Sequence, residues 1–153
     1  GHSHAAGLGI EQGNFPAFAE EINRVAHTML TPDDFIPEIH ADAEVHPSEI
    51  TESLLNELTS LEPFGRGNQE PVFIVRNFVV NEVFRMGADK QHLKLRLKAE
   101  GEVVKDAIRW NAGSLLHSFA IGDKVDVVCK PQLNYFNNRT TVQLMIEDIR
   151  HSA

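Results

Sequence analysis

The chain has 153 residues, of which 42% are hydrophobic and 24% charged, and its single cysteine is Cys129. These values are ordinary for a globular protein and argue against a disordered, collagen-like or disulfide-stapled one. No apolar stretch approaches the roughly 18 to 20 residues that cross a bilayer, and the first residues lack the basic and apolar regions of a signal peptide. We therefore expect a cytoplasmic protein with no membrane partner.

The net charge of −8 is distributed unevenly along the chain. Residues 1–71 carry 2 Lys or Arg against 13 Asp or Glu, a balance of −11, whereas residues 72–153 carry 12 against 9, a balance of +3. Such asymmetry indicates two functional units, and the second is the better candidate for binding a polyanion.

The first part of the chain predicts a small α/β unit of two strands and two helices. Residues 5–10 are apolar and predict a short strand, while Asn14 and Pro16 mark the start of a helix with one buried face. Alternation within residues 35–45 predicts a second strand with an acidic face, and a second helix begins at Ser48 or Thr51.

A stretch with two glycines and two prolines separates this unit from the rest of the chain. It predicts a linker at residues 63–71, and therefore a first domain at 1–62 and a second at 72–153. The pattern then changes to period two in five predicted strands, at residues 72–84, 92–100, 103–110, 124–133 and 140–149. A short helical segment, 114–119, lies between the third and fourth. This order is typical of the five-stranded OB-fold barrel, so the whole chain is predicted to be α+β.

The second predicted strand carries a row of three cations. Because successive side chains point to opposite faces, Lys94, Arg96 and Lys98 lie on one face and their leucine neighbours on the other. Charges about 6.6 Å apart can follow the phosphates of an extended nucleic-acid strand, although an ordinary solvated sheet face has the same pattern.

Other basic and aromatic residues lie where OB-folds bind oligonucleotides, on strands 2 and 3 and in the loops between strands 1 and 2 and strands 4 and 5. Aromatic rings stack on bases while cations hold the backbone, which suits single-stranded nucleic acid. Trp110 and Phe136 also suit ordinary packing roles. The candidates beyond the row are Arg85, Lys90, Lys105, Arg109, Trp110, Tyr135, Phe136 and Arg139.

Tests for other chemistry are negative. There is no phosphate-cradling GxxxxGK[ST] motif, no CxxC pair and no nucleophile with a surrounding motif. The histidine and two carboxylates of the acidic segment, His40, Asp42 and Glu44, most simply form a solvated surface, and we predict no metal site.

Two segments resemble a known family. Residues 1–8, GHSHAAGL, are similar to the GGHxxAAG motif of DHHA1 domains, and residues 61–73, LEPFGRGNQEPVF, resemble the LEPFGxGNPEPVF linker of RecJ exonucleases, with Gln69 where that pattern has proline. The resemblance covers essentially the whole chain. It implies the end of a DHHA1 domain followed by a RecJ OB domain.

That resemblance also implies an activity. RecJ enzymes act in DNA repair and recombination as metal-dependent hydrolases that degrade single-stranded DNA from 5′ to 3′, with Mn²⁺ or Mg²⁺ held by a DHH domain. No Asp-His-His sequence occurs in this chain, so we expect no catalytic residue here and no activity of the chain alone. By the same resemblance, Gly1 and His2 would contact a substrate phosphate.

These observations predict a region that guides single-stranded DNA toward a catalytic core. One alternative is a protein-docking module whose cations receive an acidic peptide, such as the tail of single-stranded-DNA-binding protein. Another is a structural lid that binds nothing strongly.

Overall fold

The computed structural model describes residues 5–99 and 104–153. Gly1 and His2, and the strand ends predicted at residues 100 and 103, lie outside the described residues. The chain divides into two compact units, residues 1–39 and 40–153. None of the helices in the described ranges is both long and apolar enough to span a membrane.

The first unit contains one α-helix, α1 (Phe15–Met29), which begins where Asn14 and Pro16 predicted. Its predicted buried face is not buried, since α1 has no buried residue and Phe15, Ile22 and Met29 are largely exposed. The strand predicted at residues 5–10 is also wrong, because residues 6–10 have no regular structure. Besides α1, the described part of this unit has only two short 3₁₀ helices, Gln12–Asn14 and Pro32–Phe35, and neither has a buried residue, so neither covers the apolar face of α1.

The second unit is built on a five-stranded barrel that contains both antiparallel and parallel strand pairs. Its strands are β2 (Phe73–Met86), β3 (His92–Lys98), β4 (Val104–Arg109), β5 (Lys124–Phe136) and β6 (Arg139–His151). They are hydrogen-bonded in the order β2-β3-β4-β6-β5, and pairing of β2 with β5 closes the ring. A 3₁₀ helix at Gly113–Ser118 lies between β4 and β5. This is the order and closure of an OB-fold, which confirms the predicted fold class.

Residues before the predicted linker also pack on the barrel. The short strand β1 (Ala43–Glu44) pairs in parallel with β2, and only these two residues of the strand predicted at 35–45 form. Helix α2 (Glu52–Leu58) begins at Thr51, whose side chain accepts a hydrogen bond from the Leu54 amide. Ile50, immediately before it, is fully buried in the barrel core. The division between compact units therefore falls at residues 39 and 40, earlier than the linker at 63–71.

The core is formed by the inward residues of all five barrel strands. Two irregularities in β2, between Val75 and Phe78 and between Val80 and Glu82, change which residues point inward. As a result Val75, Phe78 and Val80 are all fully buried although they do not follow strict alternation. Burial also raises the pKa of the Cys129 thiol to about 12, so this cysteine is an inert core residue.

A buried carboxylate fixes the first of these bulges. Asn77 has a left-handed φ of 59°, and its backbone N–H donates to the carboxylate of Asp126 on β5 at 3.2 Å. Asp126 also accepts from the Ser152 hydroxyl at 2.6 Å and from the Arg76 guanidinium at 3.1 Å. Desolvation raises the pKa of Asp126, but these hydrogen bonds outweigh it and hold the pKa below its ordinary value of 3.8.

We expect Asp126→Asn to destabilise the barrel in a pH-dependent way. Because the folded-state pKa is lowered, the carboxylate stabilises the fold fully above pH 3.8, and this contribution is lost as the pH falls through the lower folded-state pKa. The loss at neutral pH should be about 1–3 kcal/mol, the cost of leaving buried donors poorly paired. Urea unfolding at pH 7 and pH 3 measures it, and a difference between wild type and variant that does not shrink in acid would contradict the account.

Candidate nucleic-acid interface

The predicted cation row lies on one face of β3. Leu93, Leu95 and Leu97 are fully buried, and the residues between them point away from the core. The register extends this surface, which we call the outer face, to both neighbouring strands. It contains Glu82, Phe84 and Met86 of β2, His92, Lys94, Arg96 and Lys98 of β3, and Asp106 of β4, together with Ile108 of β4, which is buried.

Two acids on the neighbouring strands neutralise part of the row. Asp106 lies 2.8 Å from the Lys94 ammonium and 3.5 Å from the Arg96 guanidinium, measured between charged atoms. Glu82 on the opposite side lies 3.1 Å from Arg96. The ladder Glu82–Arg96–Asp106–Lys94 therefore has no net charge, which the alternation within a single strand could not reveal. These pairs are half-exposed, so each is worth little in stability and a phosphate can compete for the cations.

Aromatic rings accompany the cations on the outer face. The Lys94 ammonium lies 5.7 Å from the centre of the Phe84 ring, and the rings of His92 and Trp110 meet edge to face with centroids 4.4 Å apart. Phe84 is 38% exposed and Trp110 53% exposed. Both rings thus present a surface on which a base can stack. Sequence reasoning found Trp110 but missed Phe84, whose face is set by the bulges in β2.

The β5–β6 hairpin adds a second group of candidates. Asn137 and Asn138 both have positive φ, 48° and 57°, which makes a two-residue turn between Phe136 and Arg139. The register places Phe136 and Arg139 on the same side of the ribbon as Met145, which neighbours Ile108 of the outer face. Tyr135 points to the other side, where it lines a cavity of about 350 Å³ with Leu58 and Phe64. The structure therefore separates the two predicted hairpin aromatics.

Two predicted cations of β4 do not join the outer face. Lys105 and Arg109 pair with Leu97 and Leu93, so they project to the inner side of β4 near the barrel ends. The Lys105 ammonium donates to the Ile50 carbonyl at 2.6 Å, and burial lowers the pKa of Lys105. Arg109 pairs with Asp148 at 3.3 Å. Both cations tie parts of the fold together.

Arg85 secures the loop between β2 and β3. Its Nε donates to the Gly113 carbonyl at 2.7 Å, and the Gly113 amide donates to the Gln91 carbonyl at 2.8 Å. A Cβ on Gly113 would lie 2.3 Å from the Lys90 carbonyl oxygen, so only glycine allows this approach. Lys90 itself is exposed in the loop with a φ of 54°.

The carboxylates of the acidic segment serve the fold. Asp42 accepts from the Val72 amide at 2.8 Å, and Glu44 pairs with Arg76 at 2.9 Å. Within residues 5–99 and 104–153, no group of three or more histidine, cysteine or acidic side chains is placed to hold a metal. The described residues therefore do not fit a metal centre.

Comparison with known proteins decides the family. Residues 41–148 match the family model described as the RecJ OB domain. The chain belongs to the RecJ OB domain family. That match begins before β1, so it includes α2 and the linker as well as the barrel.

Relatives extend the likeness over nearly the whole chain. The chain is 33% identical over 148 residues to the single-stranded-DNA-specific exonuclease RecJ of Bacillus subtilis, covering 97% of this chain and 19% of that protein. It is 29% identical to the RecJ of Thermus thermophilus, covering 98% and 20%. A crystal structure of RecJ from Thermus thermophilus in complex with Mn²⁺ superposes with a TM-score of 0.72 at 25% identity, covering 95% of this chain and 20% of that one. The chain thus spans about a fifth of the length of these relatives.

Proposed function

We propose that this chain is the single-stranded-DNA-holding region of a RecJ-type exonuclease. The observation that carries the proposal is the pairing of half-exposed aromatic rings with cations on the outer face of an OB barrel: Phe84 beside Lys94, and Trp110 beside the same strand. Stacked bases and a neutralised backbone are what sequence-tolerant binding of a single strand requires.

The whole protein would carry out the chemistry elsewhere. We propose for the whole protein a 5′ to 3′ exonuclease of DNA repair and recombination in the cytoplasm, with Mn²⁺ or Mg²⁺ in a DHH domain. The names of the relatives support a single-stranded-DNA-specific exonuclease, and the RecJ crystal structures with Mn²⁺ and Mg²⁺ support the metal. The described residues offer no metal cluster, so we assign this region to binding and guiding of the strand, and no catalytic step to its residues. Gly1 and His2 remain proposed phosphate contacts, and single-stranded-DNA-binding protein a proposed partner.

The experiment measures binding of a labelled oligothymidylate to the protein by fluorescence anisotropy. The titration is repeated at salt concentrations between 25 and about 300 mM. We expect saturable binding that weakens with salt at a slope of about 0.7 per phosphate contact. An acidic peptide is titrated separately. Binding of the peptide without the oligonucleotide would favour the protein-docking alternative, and no binding of either at the lowest salt would favour a structural lid.

We expect Asp106→Asn to strengthen oligonucleotide binding. The substitution removes the acid that engages both Lys94 and Arg96, so each cation is released toward phosphate. An exposed ion pair is worth about 0.2–1 kcal/mol, and the affinity should rise roughly 1.5- to 5-fold per pair released. Asp89→Asn, in the exposed β2–β3 loop, is the matched control. Weaker binding by Asp106→Asn would contradict the role of the row.

A further inference from the structure

A second group of basic residues lies at the far end of the row. We infer that His46, Arg76, Lys98 and Lys124 form a phosphate-binding pocket, here called the basic pocket, which continues the path of the DNA strand beyond the outer face. The inference rests on the proposed function, because it assigns a further phosphodiester of the same strand to these residues.

Closure of the barrel creates the basic pocket. Val79 of β2 pairs with Lys98 of β3 on one side and with Lys124 of β5 on the other. The two lysines therefore flank one residue at the same level of the sheet, with their backbones two strand spacings, about 10 Å, apart. They are 26 residues apart in sequence, and only the β2–β5 pairing brings them together.

The shape and lining of the pocket suit an oxyanion. It has a volume of about 620 Å³ and is lined by the apolar residues Pro47, Val79 and Ala99 and by the four basic residues together with Asn77. Arg76 is fixed there by Glu44 and Asp126, while its side chain stays 40% exposed. Among the residues that the structure describes, Lys124 has an exposed side chain and makes no ion pair. Because the Arg76 guanidinium is held in place and the Lys124 ammonium makes no ion pair with the described residues, the two groups can bind a phosphate with little reorganisation.

The basic pocket adjoins the end of the cation row. Lys98 belongs both to the row and to the lining of the pocket, so the pocket opens where the row ends. Lys94, Arg96 and Lys98 are about 6.6 Å apart along β3, whereas Lys124 lies across β2, with its backbone about 10 Å from that of Lys98. A strand that follows the row to Lys98 and then crosses β2 would therefore bring a further phosphate to Lys124 and Arg76.

The test compares salt slopes of the variant Lys124→Gln with those of wild type, for a long oligothymidylate. Loss of one phosphate contact should reduce the slope of log affinity against log salt by about 0.7. Lys124→Arg should restore the wild-type slope. The control Arg66→Gln removes a cation of the exposed linker and should leave it unchanged. Thermal unfolding checks that all variants are equally folded.

The outcomes separate the two proposals. An unchanged slope in Lys124→Gln, with wild type still binding the oligonucleotide, would overturn the basic pocket and leave the outer face intact. A wild-type protein that binds no oligonucleotide at low salt would overturn both. A slope that falls equally in Arg66→Gln would show general electrostatics and also overturn the pocket.

Discussion

Replacing Phe84 and Trp110 together by alanine should weaken oligothymidylate binding at least about 30-fold. Stacking of a base on an aromatic ring is worth about 1–3 kcal/mol by alanine substitution, and two rings would supply at least about 2 kcal/mol. The rings are 38% and 53% exposed, so the variant should stay folded. Anisotropy titration at fixed low salt measures the change.

The control for this variant is Ile121→Ala. Ile121 is 74% exposed and precedes the turn at Gly122 that leads into β5. The substitution removes apolar surface without changing the proposed stacking rings, so the affinity of the variant for oligothymidylate should equal that of wild type. If the double aromatic variant bound within about 3-fold of wild type, base stacking on this face would be wrong.

Replacing Phe78 by alanine should reduce the free energy of unfolding by about 3–5 kcal/mol. Phe78 has no exposed surface and is the largest of the fully buried side chains. Its removal loses the transfer free energy of the ring and leaves a cavity in a core drawn from all five strands. Since domains of this size have only about 5–15 kcal/mol of stability, this one change would cost much of it. Urea unfolding followed by circular dichroism is the measurement.

Phe136→Ala provides a matched comparison. It makes the same chemical change at a ring that is 69% exposed at the hairpin tip, where the expected effect is within about 0.5 kcal/mol. Equal destabilisation by the two substitutions would contradict the assignment of Phe78 to the core. Phe136→Ala is also expected to lower oligonucleotide affinity if the hairpin contacts the strand.

The barrel could be predicted because each strand carries its own signal. β3 alternates leucine with polar residues without a break, and the residues between β4 and β5 have the apolar spacing of a short helix. Thr51 caps the start of α2, as expected of a threonine at that position. In each case the signal is local, so neighbours in space were not needed to interpret it.

The orientation of β2 could not be predicted in the same way. Its two bulges put Val75, Phe78 and Val80 into the core. A run of apolar residues does not show where an extra residue is inserted, because the acceptor that stabilises the first bulge, Asp126, comes from β5. The face on which Phe84 lies follows from these bulges.

The charges of the site depend on pairings between strands. Lys105 and Arg109 were predicted beside the row, but the β3–β4 register puts them on the inner side of β4. The same register places Asp106 opposite Arg96, where it neutralises part of the row. Likewise, Lys124 reaches Lys98 only through closure of the ring. The alternation within one strand predicts which side chains share a face of that strand. Which residues they contact depends on the register with the neighbouring strands.

The most direct measurement uses Trp110, which is the only tryptophan of the chain. Titration of unlabelled oligothymidylate into wild-type protein should quench the Trp110 fluorescence with the same midpoint as the anisotropy change, and added salt should reverse both. Binding seen by anisotropy with unaltered Trp110 emission would place the DNA on another surface and contradict the account.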